Sequence, residues 1–193
     1  QKSAVYSKNS TLNIKQIHGK KLSYNNYNDI FAALNISKSL PKNKETVIVK
    51  HANPCGVSIK KNHLESYISA LECDPVSAFG GIVSCNYKVN KTIAKELSKL
   101  FLEVVIANNF DADATKILKR KKNIRLIDAS NYILKDELKF ISNNDQILFQ
   151  SEDANTFNIK NFKVVSKRKP NQNQIKNLIF AFNICRHVKS NAI

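Results

Sequence analysis

The 193-residue chain has no methionine and no tryptophan, only four glycines, four prolines and four cysteines, and only four arginines among its 31 basic residues. Each scarcity excludes something. Without a starting Met, the sequence is expected to begin inside a longer reading frame. So little Gly and Pro excludes collagen-like and low-complexity linker architectures. The cysteines, Cys55, Cys73, Cys85 and Cys185, are scattered and form no CxxC pair. That argues against a disulfide framework or a structural zinc site, and for a reducing cytosol. No apolar run approaches the roughly 18 residues of a membrane span, and the opening QKSAVYSKNS lacks the apolar core of a signal peptide. No membrane partner is expected.

What is abundant is positive charge, +16 in all, carried almost entirely by lysine. One reading is a basic nucleic-acid-binding module. The other is a Lys-, Asn- and Ile-rich composition imposed by an AT-rich genome. Nucleic-acid readers rely on arginine forks and aromatic platforms. Here the lysines are dispersed, and only LKRKKN at 118–123 is dense. The second reading is preferred, so no nucleic-acid partner is expected.

Strand-like and helix-like stretches alternate along the chain. TVIV (46–49), GIVSC (81–85), EVVIA (103–107), IRLID (124–128), QILFQ (146–150) and FKVVS (162–166) read as strands. Leu64, Tyr67, Ile68 and Leu71 share one helical face, closed by Asp74-Pro75. Ile93, Ala94, Leu97, Leu100 and Phe101 share another, capped by Asn90, and Ala114, Ile117 and Leu118 mark a short helix. Pro170 opens a long helix with Ile175, Leu178, Ile179, Phe182 and Cys185 on its face, and the closing SNAI reads as entry to a further strand. The pattern predicts an α/β layered fold with a largely parallel sheet.

The densest chemistry lies in VIVKHANPCG, Val47 to Gly56. A buried strand there delivers Lys50 and His51 side by side into a turn. Ligands gather beyond the carboxyl ends of strands in such sheets. A neutral imidazole accepts protons near pH 7, and an ammonium stabilises a developing oxyanion. The same pair also fits a surface lysine next to a histidine at a strand end. A deaminase-type zinc site requires H-x-E and P-C-x-x-C; Asn53 stands at the Glu position and Ser58 at the second Cys position, so zinc is disfavoured. DPVSAFGG (74–81) offers Asp74 and Ser77 for a turn and Gly80-Gly81 for close backbone approach, to a ligand or simply between helix and strand. In GKKLSYNN (19–26), Tyr24, Asn25 and Asn26 read as a polar loop, to bind a polar ligand or simply to make a turn.

GKKLSYNN, VKHANPCGV, CDPVSAFGGIV, EVVIANNFDADATKIL, KKNIRLI, VVSKRKP and HVKSNAI occur in this order across the whole chain. Together they resemble the transformylase half of the AICAR transformylase/IMP cyclohydrolase family. The resemblance implies a cytidine-deaminase-like α/β/α layered fold built as two similar halves, without catalytic metal. It implies residues 1–193 as the N-terminal half of the transformylase domain, with no cyclohydrolase domain. The implied reaction moves a formyl group from the co-substrate 10-formyltetrahydrofolate to the 5-amino group of AICAR. By resemblance His51 is the proton acceptor, and Lys50 stabilises the oxyanion. Asn191 holds the AICAR carboxamide and assists proton handling. Gly80 is a backbone position of the nucleotide site, and Glu103 is its acidic residue. The resemblance also implies a homodimer, and the cysteine usage a cytosolic one. An Arg-Tyr pair that would precede Gln1, and the folate-binding Arg, Phe and Asp positions of the second half, do not occur here. The isolated chain is therefore expected to be an internal piece with little activity.

Overall fold

Runs of β-branched residues alternating with amphipathic stretches place β-strands at the centre of the fold and helices on both faces. The computed structural model describes residues 5–6, 13–133, 138–151, 153, 159–189 and 191–192. They fall into two compact units, 1–133 and 134–193.

In the first unit, β1 (Lys15–His18), α1 (Tyr24–Lys38), β2 (Glu45–Lys50), β3 (Asn53–Ile59), α2 (His63–Cys73), β4 (Ile82–Cys85), α3 (Lys91–Leu97), β5 (Val104–Ala107), α4 (Ala112–Leu118) and β6 (Arg125–Asp128) follow one another. The strands form one six-stranded sheet in the order β1-β6-β5-β4-β2-β3. The parallel part expected from strand–helix alternation is the β4–β5–β6 block; β2 pairs antiparallel with both β3 and β4, and β1 pairs antiparallel with β6. β2 and β3 form a tight hairpin, so no crossover helix sets their direction.

Alternation along the strands sorts the two faces. Ile48, Val83, Cys85, Val105, Ala107 and Leu126 join Tyr67 and Ala70 of α2, Ile93, Ala94 and Leu97 of α3, and Ala114 and Leu118 of α4 in one buried cluster. On the opposite face, strand residues such as Val47, Val49 and Ile106 are buried, as are Ile30, Ala33 and Leu34 of α1. Each such large side chain, fully buried, contributes roughly 1.5–3 kcal/mol. The result is the α/β/α layering expected from the sequence.

Three local expectations change. GKKLSYNN is not a loop throughout: Ser23 caps α1, accepting from Asn26 N, and Asn26 Oδ1 accepts from Ser23 N in return. The helix begun at Asn90 ends at Leu97, leaving Leu100 and Phe101 beyond it. The residues after the β2 turn, including Pro54 and Gly56, are strand. β3 is an edge strand, where proline's missing N–H costs no ladder bond.

Glu45 opens β2 and is fully buried. Its Oε1 accepts from Ser37 Oγ at 2.6 Å, and its Oε2 has no hydrogen-bond partner among the described residues. Burial pushes its carboxyl up to about 8, against the opposing pull of Ser37 and Lys38. The folded protein therefore holds a proton that the unfolded chain releases. The associated stability is full below about pH 4.5 and is lost as pH rises through about 8. Glu45→Gln is expected to flatten this loss, raising the melting temperature relative to the parent at about pH 9 but not at about pH 5. Parallel melting curves for the two proteins across that range would contradict the assignment.

The second unit contains an antiparallel hairpin of β7 (Leu138–Asn143) and β8 (Gln146–Ser151), and α5 (Gln172–Cys185). Phe140 sits opposite Phe149 in the hairpin. Asn171 caps α5 in a reciprocal capping box with Gln174, directly after Pro170. FKVVS is not a strand; no partner strand lies beside it among the described residues, and Phe162 packs edge-on against Phe182 of α5 at 5.5 Å. No helix among the described residues is long and apolar enough to cross a membrane.

Candidate active site

β2 ends at Lys50, paired with Asn53 at the start of β3, so the loop between them is only His51-Ala52. Both loop residues have positive φ, 55° and 56°. A type I′ hairpin turn requires this, and it is normally built from Asn-Gly or Asp-Gly. A His-Ala turn is held in left-handed backbone that costs of order 1 kcal/mol or more per residue. Strain of this kind persists only where the surroundings enforce it, and it concentrates at functional sites. Just behind the turn the register skips Cys55, which is the extra residue of a bulge between the Ile48–Gly56 and Val49–Pro54 pairs. Bulges add twist and re-aim what lies ahead of them.

The turn presents His51 to solvent, while Lys50 is half-buried. Lys50 Nζ donates to the carbonyl of Phe79 at 2.6 Å. That ties the cation to the DPVSAFGG segment, whose own turn forms as its residues predict: Ser77 N donates to Asp74 Oδ1 at 2.9 Å. Hydrogen bonds from Ser77 also hold the Asp74 carboxyl below its ordinary value. Gly80 adopts φ +71°, a conformation other residues take with strain, and its N–H donates to Phe101 O at 2.8 Å. One residue on, Gly81 O accepts from Glu103 N at 3.0 Å. Glu103 thus lies just before β5, beside Gly80-Gly81, which lie just before β4.

The Glu103 side chain is 44% exposed. Its Oε2 accepts from Asn26 Nδ2 at 2.8 Å and lies 3.9 Å from Arg125 Nη1. With Asn26 Oδ1 committed to the cap of α1, its amide faces Glu103 donor-first. One turn further along α1, Asp29 Oδ1 accepts from Ala52 N at 2.7 Å. The first two turns of α1 therefore reach two segments of the site at once.

Lys50, His51, Gly80 and Glu103 all lie at one end of the sheet. It is the carboxyl end of β2 but the amino end of the parallel strands β4 and β5, because β2 runs antiparallel to β4. The carboxyl-end rule for ligand sites thus holds for β2 and fails for the parallel block. The opposite end is closed by its own amides. Asn86 accepts from the backbone N–H of Lys44 and Glu45 and donates to Pro41 O. Asn108 donates to Asn86 O at 2.7 Å and accepts from Lys38 Nζ at 3.2 Å.

Asn191 belongs to the second unit, where it is exposed beyond the end of α5. Cys55 adjoins the turn, but burial, followed by the nearby Asp74 carboxylate, pushes its thiol up, which disfavours the thiolate needed for nucleophilic or metal chemistry. Among the described residues, no group of three or more His, Cys, Asp or Glu side chains is placed to hold a metal ion. Sequence reasoning singled out Asn26 as a polar loop residue for a ligand or a turn, but missed its place in the cap of α1, and missed Asp29 altogether. The Ser23-to-Asn26 spacing of a capping pair is the one signal that could have pointed to the cap.

The profile of the AICARFT/IMPCHase bienzyme family matches residues 1–193. The chain is similar to the bifunctional purine biosynthesis protein PurH of Acetivibrio thermocellus, 44% identical over 182 residues covering 93% of this chain and 35% of that protein. PurH of Thermoanaerobacter sp. strain X514 is 44% identical over 180 residues, with the same two coverages. PurH of Brachyspira hyodysenteriae is 40% identical over 189 residues, 96% of this chain and 36% of that protein. The chain thus spans little more than a third of the length of these relatives.

Proposed function

Because the chain belongs to the AICARFT/IMPCHase bienzyme family, we propose that it is the N-terminal half of an AICAR transformylase domain. Its whole protein transfers a formyl group from 10-formyltetrahydrofolate to the 5-amino group of AICAR, closes the product to IMP, and works as a cytosolic homodimer. The observation that carries this reading is the strained His51-Ala52 turn, which projects His51 beside a lysine already bound to the Gly80 segment.

The amine of AICAR is a poor nucleophile, so its attack on the formyl carbon needs a base. The His51 imidazole takes the amine proton as the C–N bond forms. The carbonyl oxygen becomes an oxyanion, and the Lys50 ammonium stabilises it. An ammonium has three donors, so Lys50 can keep its bond to Phe79 O while offering another N–H to that oxygen. Collapse of the tetrahedral adduct breaks the bond to N10 of the folate, and His51 returns the proton to that leaving nitrogen. Gly80 lets the backbone approach the nucleotide. The Glu103 carboxylate accepts from nucleotide hydroxyls alongside Asn26. Asn191 pairs donor and acceptor with the carboxamide of AICAR. No metal takes part.

The test is formyl transfer assayed with both substrates. A hybrid in which residues 1–193 replace the matching segment of the Acetivibrio thermocellus PurH is expected to turn over. The isolated chain is expected to show nothing above background. Turnover by the isolated chain would contradict the division of the site between two halves, and an inactive but folded hybrid would contradict the function.

A further inference from the structure

We propose that Asp29 is a positioning residue for the base: its carboxylate fixes the His51-Ala52 turn in left-handed backbone and so sets the direction of the imidazole. The proposal rests on the reading of His51 as base. Three observations carry it. Two consecutive non-glycine residues with positive φ need an external hold. Asp29 Oδ1 accepts from Ala52 N at 2.7 Å, a bond from an ionisable side chain to the second residue of that turn. The carboxylate comes from α1, a separate element whose buried residues, Asn26, Ile30, Ala33, Leu34, Ile36 and Ser37, do not include Asp29.

That last point separates positioning from structure. Asp29 lies inside α1, where alanine is the better helix former. Asp29→Ala should therefore leave the helix intact while freeing the turn, with the melting temperature lowered by no more than the loss of that one hydrogen bond. Asp29→Asn keeps an acceptor oxygen of the same reach and should restore the bond.

The first measurement is amide hydrogen exchange in the full 193-residue chain. Asp29→Ala is expected to speed exchange at Ala52 by about tenfold or more, the loss expected for a hydrogen bond to a charged acceptor. Asp29→Asn should return it to within about threefold of the parent. Unchanged Ala52 exchange in Asp29→Ala would overturn the proposal. The second measurement is kinetic, in the hybrid enzyme. Asp29→Ala should lower kcat by about tenfold with little change in KM for AICAR, since a misaimed base affects the transition state and not substrate binding. An unchanged kcat in Asp29→Ala, alongside a large loss in His51→Ala, would also overturn it. If His51→Ala itself left kcat unchanged while Ala52 exchange responded to Asp29, the base assignment would fall and the anchoring of the turn would stand.

Discussion

In the hybrid enzyme, His51→Ala is expected to lower kcat by roughly 10²–10⁴-fold, the usual contribution of a positioned general base, with KM for AICAR changed by no more than about threefold. His51 occupies a turn residue with φ 55° and is exposed at the sheet edge, so its side chain is not part of the core. The substitution therefore removes a proton acceptor without opening a cavity. The sharper variant is His51→Asn. Asparagine tolerates left-handed backbone better than most residues, so the turn is eased and the melting temperature holds or rises. An amide cannot take up the amine proton, so turnover should fall as far as in His51→Ala. A protein at least as stable as the parent and far slower separates chemistry from folding. If His51→Asn kept near-parent turnover, His51 would be a turn residue and nothing more.

Gly56→Ala is expected to destabilise the first unit by at least about 3 kcal/mol, beyond ordinary overpacking, and to lower its melting temperature by roughly 10 °C. A Cβ on Gly56 would lie 1.9 Å from the carbonyl oxygen of Ala70 and 3.1 Å from Cys73 Cβ. Those atoms are α2 backbone and the start of a side chain near its end, neither of which can swing away. β3 and α2 would have to separate, and with them Tyr67 and Ala70 would leave the core cluster. Gly80 is a useful contrast. A Cβ there meets only the Phe101 ring, at 3.6 Å, and the cost comes from φ +71° alone, about 1 kcal/mol. Thermal melts of the two variants should therefore differ severalfold in their shift. Equal shifts would mean that the close approach of β3 to α2 is misplaced.

Legibility in the sequence followed the strength of local signals. β2, β4 and β5 were visible because each carries a short run of β-branched residues buried on both faces, and β6 because Leu126-Ile127 form a buried apolar pair between polar ends. Lys50 and His51 stood out because they end such a run. β3 was hidden because Pro54 and Gly56 read as turn punctuation. Here proline is tolerated on an edge strand and glycine is required by α2. The turn itself was hidden because His-Ala lacks the Asn-Gly signature. α1 was hidden behind asparagines, although its cap pattern was present. The direction of β2, and with it the end of the sheet that carries the site, depends on a two-residue hairpin that no periodicity reports. Asp29 gave no signal, because a carboxylate on a half-buried helix position looks the same whether it faces water or a backbone N–H.

The central claim is that Lys50 and His51 act on one reacting centre, and a double-mutant cycle in the hybrid enzyme tests it most directly. kcat is measured for Lys50→Ala, His51→Ala and the pair. The account predicts that the double variant is little slower than the slower single variant, because once the base is gone the oxyanion donor has a different step to assist. Losses that multiply in full would place the two residues on independent tasks and contradict the account.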